Sequence, residues 1–255
     1  MAWYTAVLLG LVQGLAEFLP ISSSGHLLLL QHLFGITDGG LVLTVVLHLA
    51  TLGAVVVVYW RRLWALIRHP WCAEMGYLVL GTVVTCGLVL VGKDWLESLF
   101  RVQALPWLFI VTGVLLLLPG IIQPRTTQRA HWWQFLLMGA AQGVAVLPGL
   151  SRSGLTIATG RLSGLPQADA TDQSFLLSIP VIVASLVYTV WQGGTVVSLG
   201  WGNLVLAFLT AFMSGYAALK LMLAGVRKFR WGGFALYLFL LGGGLLLFLG
   251  LGGGF

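Results

Sequence analysis

The chain has 255 residues, of which 59% are hydrophobic and only 8% charged, with a net charge of +6 and a mean hydropathy of +0.99. Soluble domains carry roughly 25% charged residues, so this composition excludes a water-soluble globule, a disordered chain and a nucleic-acid-binding module. The thirteen Lys and Arg are scattered singly and in short groups, as membrane-edge residues are. The class that remains is a polytopic α-helical membrane protein, in which the few polar residues at membrane depth carry the information. Cys72 and Cys86 are fourteen positions apart, one beside a basic loop and one in an apolar run, and suggest neither a disulfide nor a metal pair.

In chain order, the first apolar stretch covers residues 3–34 and is cut at Pro20 and by Ser22-Ser23-Ser24-Gly25. The N-terminus lacks a basic n-region, so this stretch is read as part of the mature fold. Each half is shorter than the about 20 residues that a bilayer core requires. Short segments interrupted by Gly and Pro predict a re-entrant helical hairpin whose irregular backbone lines a cavity. Spans are predicted at 41–60, 75–92 and 104–121. A second broken stretch, 132–162, is cut at Pro148-Gly149 and by Ser151-Arg152-Ser153-Gly154. Spans at 173–192, 201–223 and 233–250 follow. The predicted fold is thus all-α, with six transmembrane helices plus two re-entrant helical hairpins in one integral membrane domain, residues 1–255. Ten of the eleven tryptophans lie near predicted span ends, as an aromatic belt does, and Trp71 lies in a loop.

Basic residues orient the chain. The loops on the side reached after span 41–60 hold Arg61, Arg62, Arg68, Arg125, Arg129, Arg161, Arg227, Lys228 and Arg230; the opposite loops hold Lys93 and Arg101, offset by Asp94 and Glu97. The first side is therefore expected to be cytoplasmic, with both termini outside. Arg61-Arg62 and Arg227-Lys228 read as topological anchors.

The two broken stretches resemble each other at a constant shift of 129. Gly10, Gln13, Gly14, Ala16, Ser22, Ser24 and Gly25 match Gly139, Gln142, Gly143, Ala145, Ser151, Ser153 and Gly154. Each is followed by three spans, an odd number, so the second copy is expected to enter from the opposite face. This is an inverted-topology repeat, 1–121 against 131–255, with the hairpin tips meeting near the midplane. The copies differ where chemistry is needed: Glu17 aligns with Val146, His26 with Leu155 and Arg152 with Ser23.

Glu17 is the only acid placed inside a membrane segment; the other six are placed in loops. A lone carboxylate at that depth needs a partner or a function. Gln13 shares its helical face. Ser22 and Ser151 each follow a Pro and precede an apolar helix, so both read as N-caps. Facing helix N-termini favour anions, phosphate above all. Arg152 adds a planar fork suited to phosphate. His26, one turn after Ser22 and Ser23, sets an imidazole beside two hydroxyls and is the candidate base. His48, within a continuous span, reads as a hydrogen-bonded core histidine, and His32, His69 and His131 as peripheral.

The segment Gly14-Leu-Ala-Glu17-Phe-Leu-Pro20-Ile-Ser22-Ser23-Ser24-Gly25-His26 resembles the first signature of the bacterial undecaprenyl-diphosphate phosphatases. Leu147-Pro148-Gly149-Leu-Ser151-Arg152-Ser153-Gly154-Leu-Thr156-Ile157 resembles their second, and Leu47–Leu52 and Ser174–Pro180 also fit. The family's Glu/Gln-x-x-x-Glu motif falls on Gln13 and Glu17, while Gln167 stands where a basic residue is common. The resemblance implies removal of the terminal phosphate of undecaprenyl diphosphate in the cytoplasmic (inner) membrane, at a site open to the periplasm. It also implies a divalent cation, Mg²⁺ or Ca²⁺, held by Glu17 and Gln13. The expected catalytic set is Glu17, Ser23, His26 and Arg152, with Ser23 the preferred nucleophile and His26 as base; attack by water or by His26 itself stays open. Gln13, Ser22, Ser24, Gly25, Ser151, Ser153, Gly154 and Thr156 are expected to bind substrate. The expected partners are the polyprenyl diphosphate and membrane lipids, with a homodimer allowed and no nucleic acid. The rival reading is a transporter or flippase for polyprenyl phosphate, which an inverted repeat suits equally well; the Glu-Ser-His set favours chemistry.

Overall fold

A computed structural model describes residues 1–36, 40–92, 101–122, 126–127, 130–191, 200–226 and 231–253. Among them the regular structure is all helical: α1 (Trp3–Phe18), α2 (Ser23–Leu33), α3 (Gly40–Arg68), α4 (Ala73–Val91), α5 (Leu105–Ile122), α6 (Trp132–Val144), α7 (Arg152–Leu162), α8 (Gln167–Trp191), α9 (Trp201–Gly225) and α10 (Trp231–Gly250). Six of these, α3, α4, α5, α8, α9 and α10, are long and apolar enough to cross a membrane. They coincide with the six predicted spans. The other four have 16, 11, 13 and 11 residues and fall on the two broken stretches.

Two helices run well beyond their predicted limits. α3 runs on past residue 60 to Arg68, and α8 starts at Gln167 rather than at 173. α4 also starts early, at Ala73 rather than at 75, so Glu74, Asp169 and Asp172, all expected in loops, stand on helices. Acids in a first turn, Glu74 in α4 and Asp169 in α8, favour helix by meeting the positive end of its dipole. The extensions bring Arg62 within 2.5 Å of Glu74 and 3.3 Å of Asp172; Tyr59 donates to Asp172 at 2.7 Å and Gln173 to Glu74 at 2.9 Å. Arg62 thus ties α3, α4 and α8 together as well as marking a boundary. Of the residues that orient the chain, Lys93, Asp94, Glu97, Arg125, Arg129, Arg227, Lys228 and Arg230 lie outside the described residues.

The helices fall into two sets of five, with α1 and α6 starting 129 positions apart, as do α2 and α7. Packing follows the same correspondence. α1 lies on α9 while α6 lies on α4, and α3 lies on α9 while α8 lies on α4. Ser214 of α9 donates to the Gly10 carbonyl at 3.4 Å; Thr85 of α4 donates to the Gly139 carbonyl at 2.8 Å. These approaches require small residues: a Cβ at Gly14 would lie 2.6 Å from both the Ala211 carbonyl oxygen and the Gly215 nitrogen. Ala6, Leu9, Leu43, Leu47, Ala207 and Ala211 fill the α1–α3–α9 seam. Leu105, Phe109, Leu116, Ala235 and Leu238 fill the α5–α10 seam.

Candidate active site

The broken stretches meet at their turns. Leu19 is extended, as the residue before Pro20 should be, and ends α1. Ser22 then takes φ 69, the only positive φ at a non-glycine among the described residues. Its Oγ accepts the Gly25 N–H at 3.3 Å, capping α2, and the Gly149 N–H of the other turn at 3.1 Å. Ser151 caps α7 by accepting from the Gly154 N–H at 3.1 Å. Ser153 Oγ donates to the Leu19 carbonyl at 3.3 Å, and Thr112 of α5 donates to the Gly149 carbonyl at 2.9 Å. Gly25 sits at the point of contact, where a Cβ would lie 2.8 Å from the Gly149 nitrogen.

Glu17, buried in the last turn of α1, is the focus. Its Oε2 accepts from Ser23 Oγ at 2.5 Å and from Gln13 Nε2 at 3.1 Å, and His48 Nε2 lies 3.7 Å away. Its Oε1 is paired with the Arg152 guanidinium. The acid of the first stretch is thereby neutralised by the cation of the second, which makes a buried carboxylate tolerable. Ser24 also belongs to this first turn, with its hydroxyl 3.5 Å from that of Ser22.

A cavity of about 310 Å³ opens on this cluster. Its polar wall includes Glu17, Ser23, Ser24, Ser151, Arg152 and Ser153; Val45, Val146, Leu150, Val181, Ile182 and Leu186 give it an apolar wall. Such a pocket suits an amphiphile with a charged head. Arg152 Nη1 and Gln142 Oε1, on residues of the cavity wall, are buried without a hydrogen-bond partner, so donor and acceptor capacity remains for a ligand; Gln13 Oε1, behind Glu17, is also unpartnered.

Among the described residues no group of three or more His, Cys, Asp or Glu is arranged to hold a metal. Glu17 and the unpartnered Gln13 Oε1 offer one carboxylate and one amide oxygen. That set is too small for an all-protein cage. It fits a hard cation that keeps several waters and is completed by substrate phosphate oxygens.

Six sequence-predicted residues stand apart from the cavity wall; one is Gln13, fully buried one turn before Glu17, to which it donates. Ser22, Gly25 and Gly154 build the turns. Thr156 faces α8, with its Oγ1 2.5 Å from that of Ser174. His26 does not face Ser23: its Nδ1 lies 2.8 Å from the Ser22 carbonyl oxygen and its Nε2 2.6 Å from the Tyr237 hydroxyl. Conversely, His48 keeps its expected internal hydrogen bond, to the Thr44 carbonyl at 2.8 Å, yet also lines the cavity. Thr44, Ser178 and Ser185 line it too; Ser178 falls in the Ser174–Pro180 stretch that fits the family, whereas Thr44 and Ser185 carry no motif. The signal for His48 was present as polar residues at 44, 48 and 51, which share one helical face.

The family model of the bacitracin resistance protein BacA matches residues 6–244. The chain is 37% identical to an undecaprenyl-diphosphatase of Carboxydothermus hydrogenoformans over 94% of both chains. It is 38% identical to one of Rhodopirellula baltica over 88% of this chain and 89% of the other. It is 40% identical to one of Desulfosudis oleivorans over 93% of this chain and 95% of that protein. A match spanning nearly the whole chain, together with these relatives, establishes that the chain belongs to the BacA family.

Proposed function

We propose that this chain hydrolyses undecaprenyl diphosphate to undecaprenyl phosphate and inorganic phosphate, returning the lipid carrier to cell-wall synthesis, and that the cavity at Glu17 is where it does so. The names and coverage of the relatives support the activity. The observation that carries the site is the Ser23 hydroxyl 2.5 Å from Glu17 Oε2, with Arg152 on the other carboxylate oxygen.

The diphosphate head lies against the polar wall and the prenyl chain along the apolar one. Arg152 turns its free Nη1 to the phosphate oxygens, where charge spreads in the transition state. Ser23 Oγ attacks the terminal phosphorus as its proton passes to Glu17 Oε2. An O–P bond to serine forms, the anhydride P–O bond breaks, and undecaprenyl phosphate leaves. Water then attacks the phosphoserine and restores Ser23. Gln13 orients Glu17. Gln13 Oε1 and Glu17 would hold Mg²⁺ or Ca²⁺ arriving with the diphosphate, and the cation would supply charge neutralisation there. The Ser24 and Ser153 hydroxyls and the capped first turns of α2 and α7 bind the head. The turn residues Ser22, Gly25, Ser151 and Gly154 hold those first turns in place, and Thr156 fixes α7 on α8.

The matched helix starts and matched packing of the two sets of five support an inverted repeat, 1–121 against 131–255, within one membrane domain. The four short helices then form two re-entrant hairpins. The distribution of basic residues supports an inner-membrane orientation with the cavity open to the periplasmic face.

The test is phosphate release by purified protein in detergent. Glu17→Gln keeps the shape of the side chain but removes the proton acceptor, so kcat should fall by ~10²-fold or more. Near-normal turnover in that variant would remove Glu17 from this role.

A further inference from the structure

We propose that Tyr237, on α10 and outside the cavity, is a positioning residue for this reaction: through His26 it holds the left-handed turn at Ser22 that aims Ser23 at Glu17. This rests on Ser23 as the attacking group.

A carbonyl oxygen only accepts hydrogen bonds, so the His26 Nδ1 that lies 2.8 Å from the Ser22 carbonyl carries a proton. In the neutral ring Nε2 is then an acceptor, and the Tyr237 hydroxyl 2.6 Å away is its donor. The two rings lie parallel, 5.7 Å between centroids and 10° between planes, and Phe109 packs on the imidazole at 5.2 Å. Tyr237 therefore sets both the tautomer and the plane of His26, and His26 sets the Ser22 carbonyl.

That carbonyl belongs to the only non-glycine residue with positive φ among those described. A left-handed serine is a strained backbone that persists only when its surroundings over-determine it. Ser22 is pinned on its side chain by the Gly25 and Gly149 N–H groups and on its carbonyl by His26. Ser23 follows directly. The second turn shows what happens without this device. Ser151 has φ −82, Leu155 stands where His26 would be, and Leu108 stands where Tyr237 would be. There the position after the cap carries Arg152, and no hydroxyl needs aiming.

The experiment uses full-length protein in detergent with ring-¹⁵N-labelled histidine, the His26 signals being assigned by their loss in His26→Gln. Wild-type His26 should appear as the Nδ1–H tautomer. In Tyr237→Phe it should become a mixture, with kcat down about 10-fold and KM within twofold. Three results would overturn the inference: an Nε2–H tautomer in the wild type, full kcat in Tyr237→Phe, or a fall in kcat with the tautomer unchanged. The tautomer is read without turnover, so it stands apart from the assignment of Ser23. Loss of activity in Ser23→Ala tests that assignment, and an active Ser23→Ala would sink the site reading whatever His26 shows.

Discussion

Four side chains converge on the Glu17 carboxylate, and each makes a different demand on it. Ser23 and Gln13 donate to Oε2, His48 approaches the same atom, and Arg152 holds Oε1. Arg152 gives Nη2 to Glu17 and leaves its buried Nη1 unpartnered, so the guanidinium can join the carboxylate and a phosphate at once. Lysine keeps the charge and loses the fork. Arg152→Lys should therefore lower kcat/KM by ~10²-fold, a loss of oxyanion-donor size, as phosphate-release kinetics would show. Glu17, Ser23 and Arg152 were legible in the sequence because an acid and a cation at membrane depth demand each other. The direction of His26 was not legible as a base. Position 26 lies one full turn after 22, so its ring caps the Ser22 carbonyl and not the neighbouring Ser23 hydroxyl. His48 read as a core residue because the wall it belongs to forms only when α3 packs beside α1.

At the scale of elements, fit between helices decides what can change. α1 approaches α9 so closely at Gly14 that a methyl group would meet the Ser214 hydroxyl and also backbone atoms of Ala211 and Gly215, which cannot swing aside. Gly14→Ala should cost about 1–3 kcal/mol by overpacking, read as a lower thermal midpoint in detergent. It should also lower activity, because the same helix carries Gln13 and Glu17. An unchanged midpoint would mean that the α1–α9 seam is looser than described. The six long helices were legible from apolar run length. Their true ends were not, since Arg62, Glu74 and Asp172 look like loop charges until α3, α4 and α8 lie side by side and pair them.

At the scale of the molecule, the shift of 129 links sequence to packing. Ser214 and Thr85 occupy matching places and bond matching carbonyls, at Gly10 and Gly139. The duplicated glycines and serines made the two copies visible in the sequence, whereas the pairing of α1 with α9 and of α6 with α4 needed the fold. If the copies are inverted, single cysteines at Trp71 and at Trp201, at the matching α3–α4 and α8–α9 connections, in a background with Cys72 and Cys86 replaced by Ser, should label from opposite faces of sealed cells or vesicles. Labelling of both from one face would rule out that topology. The chemistry of the cavity is tested most directly with Ser23→Ala, by measuring phosphate release from undecaprenyl diphosphate and affinity for it on the same purified protein. Wild-type protein should release phosphate. The variant should bind the lipid within a few-fold of wild type and turn over at least ~10³-fold more slowly, as loss of a nucleophile requires. Turnover by Ser23→Ala within about tenfold of wild type would contradict attack by this serine.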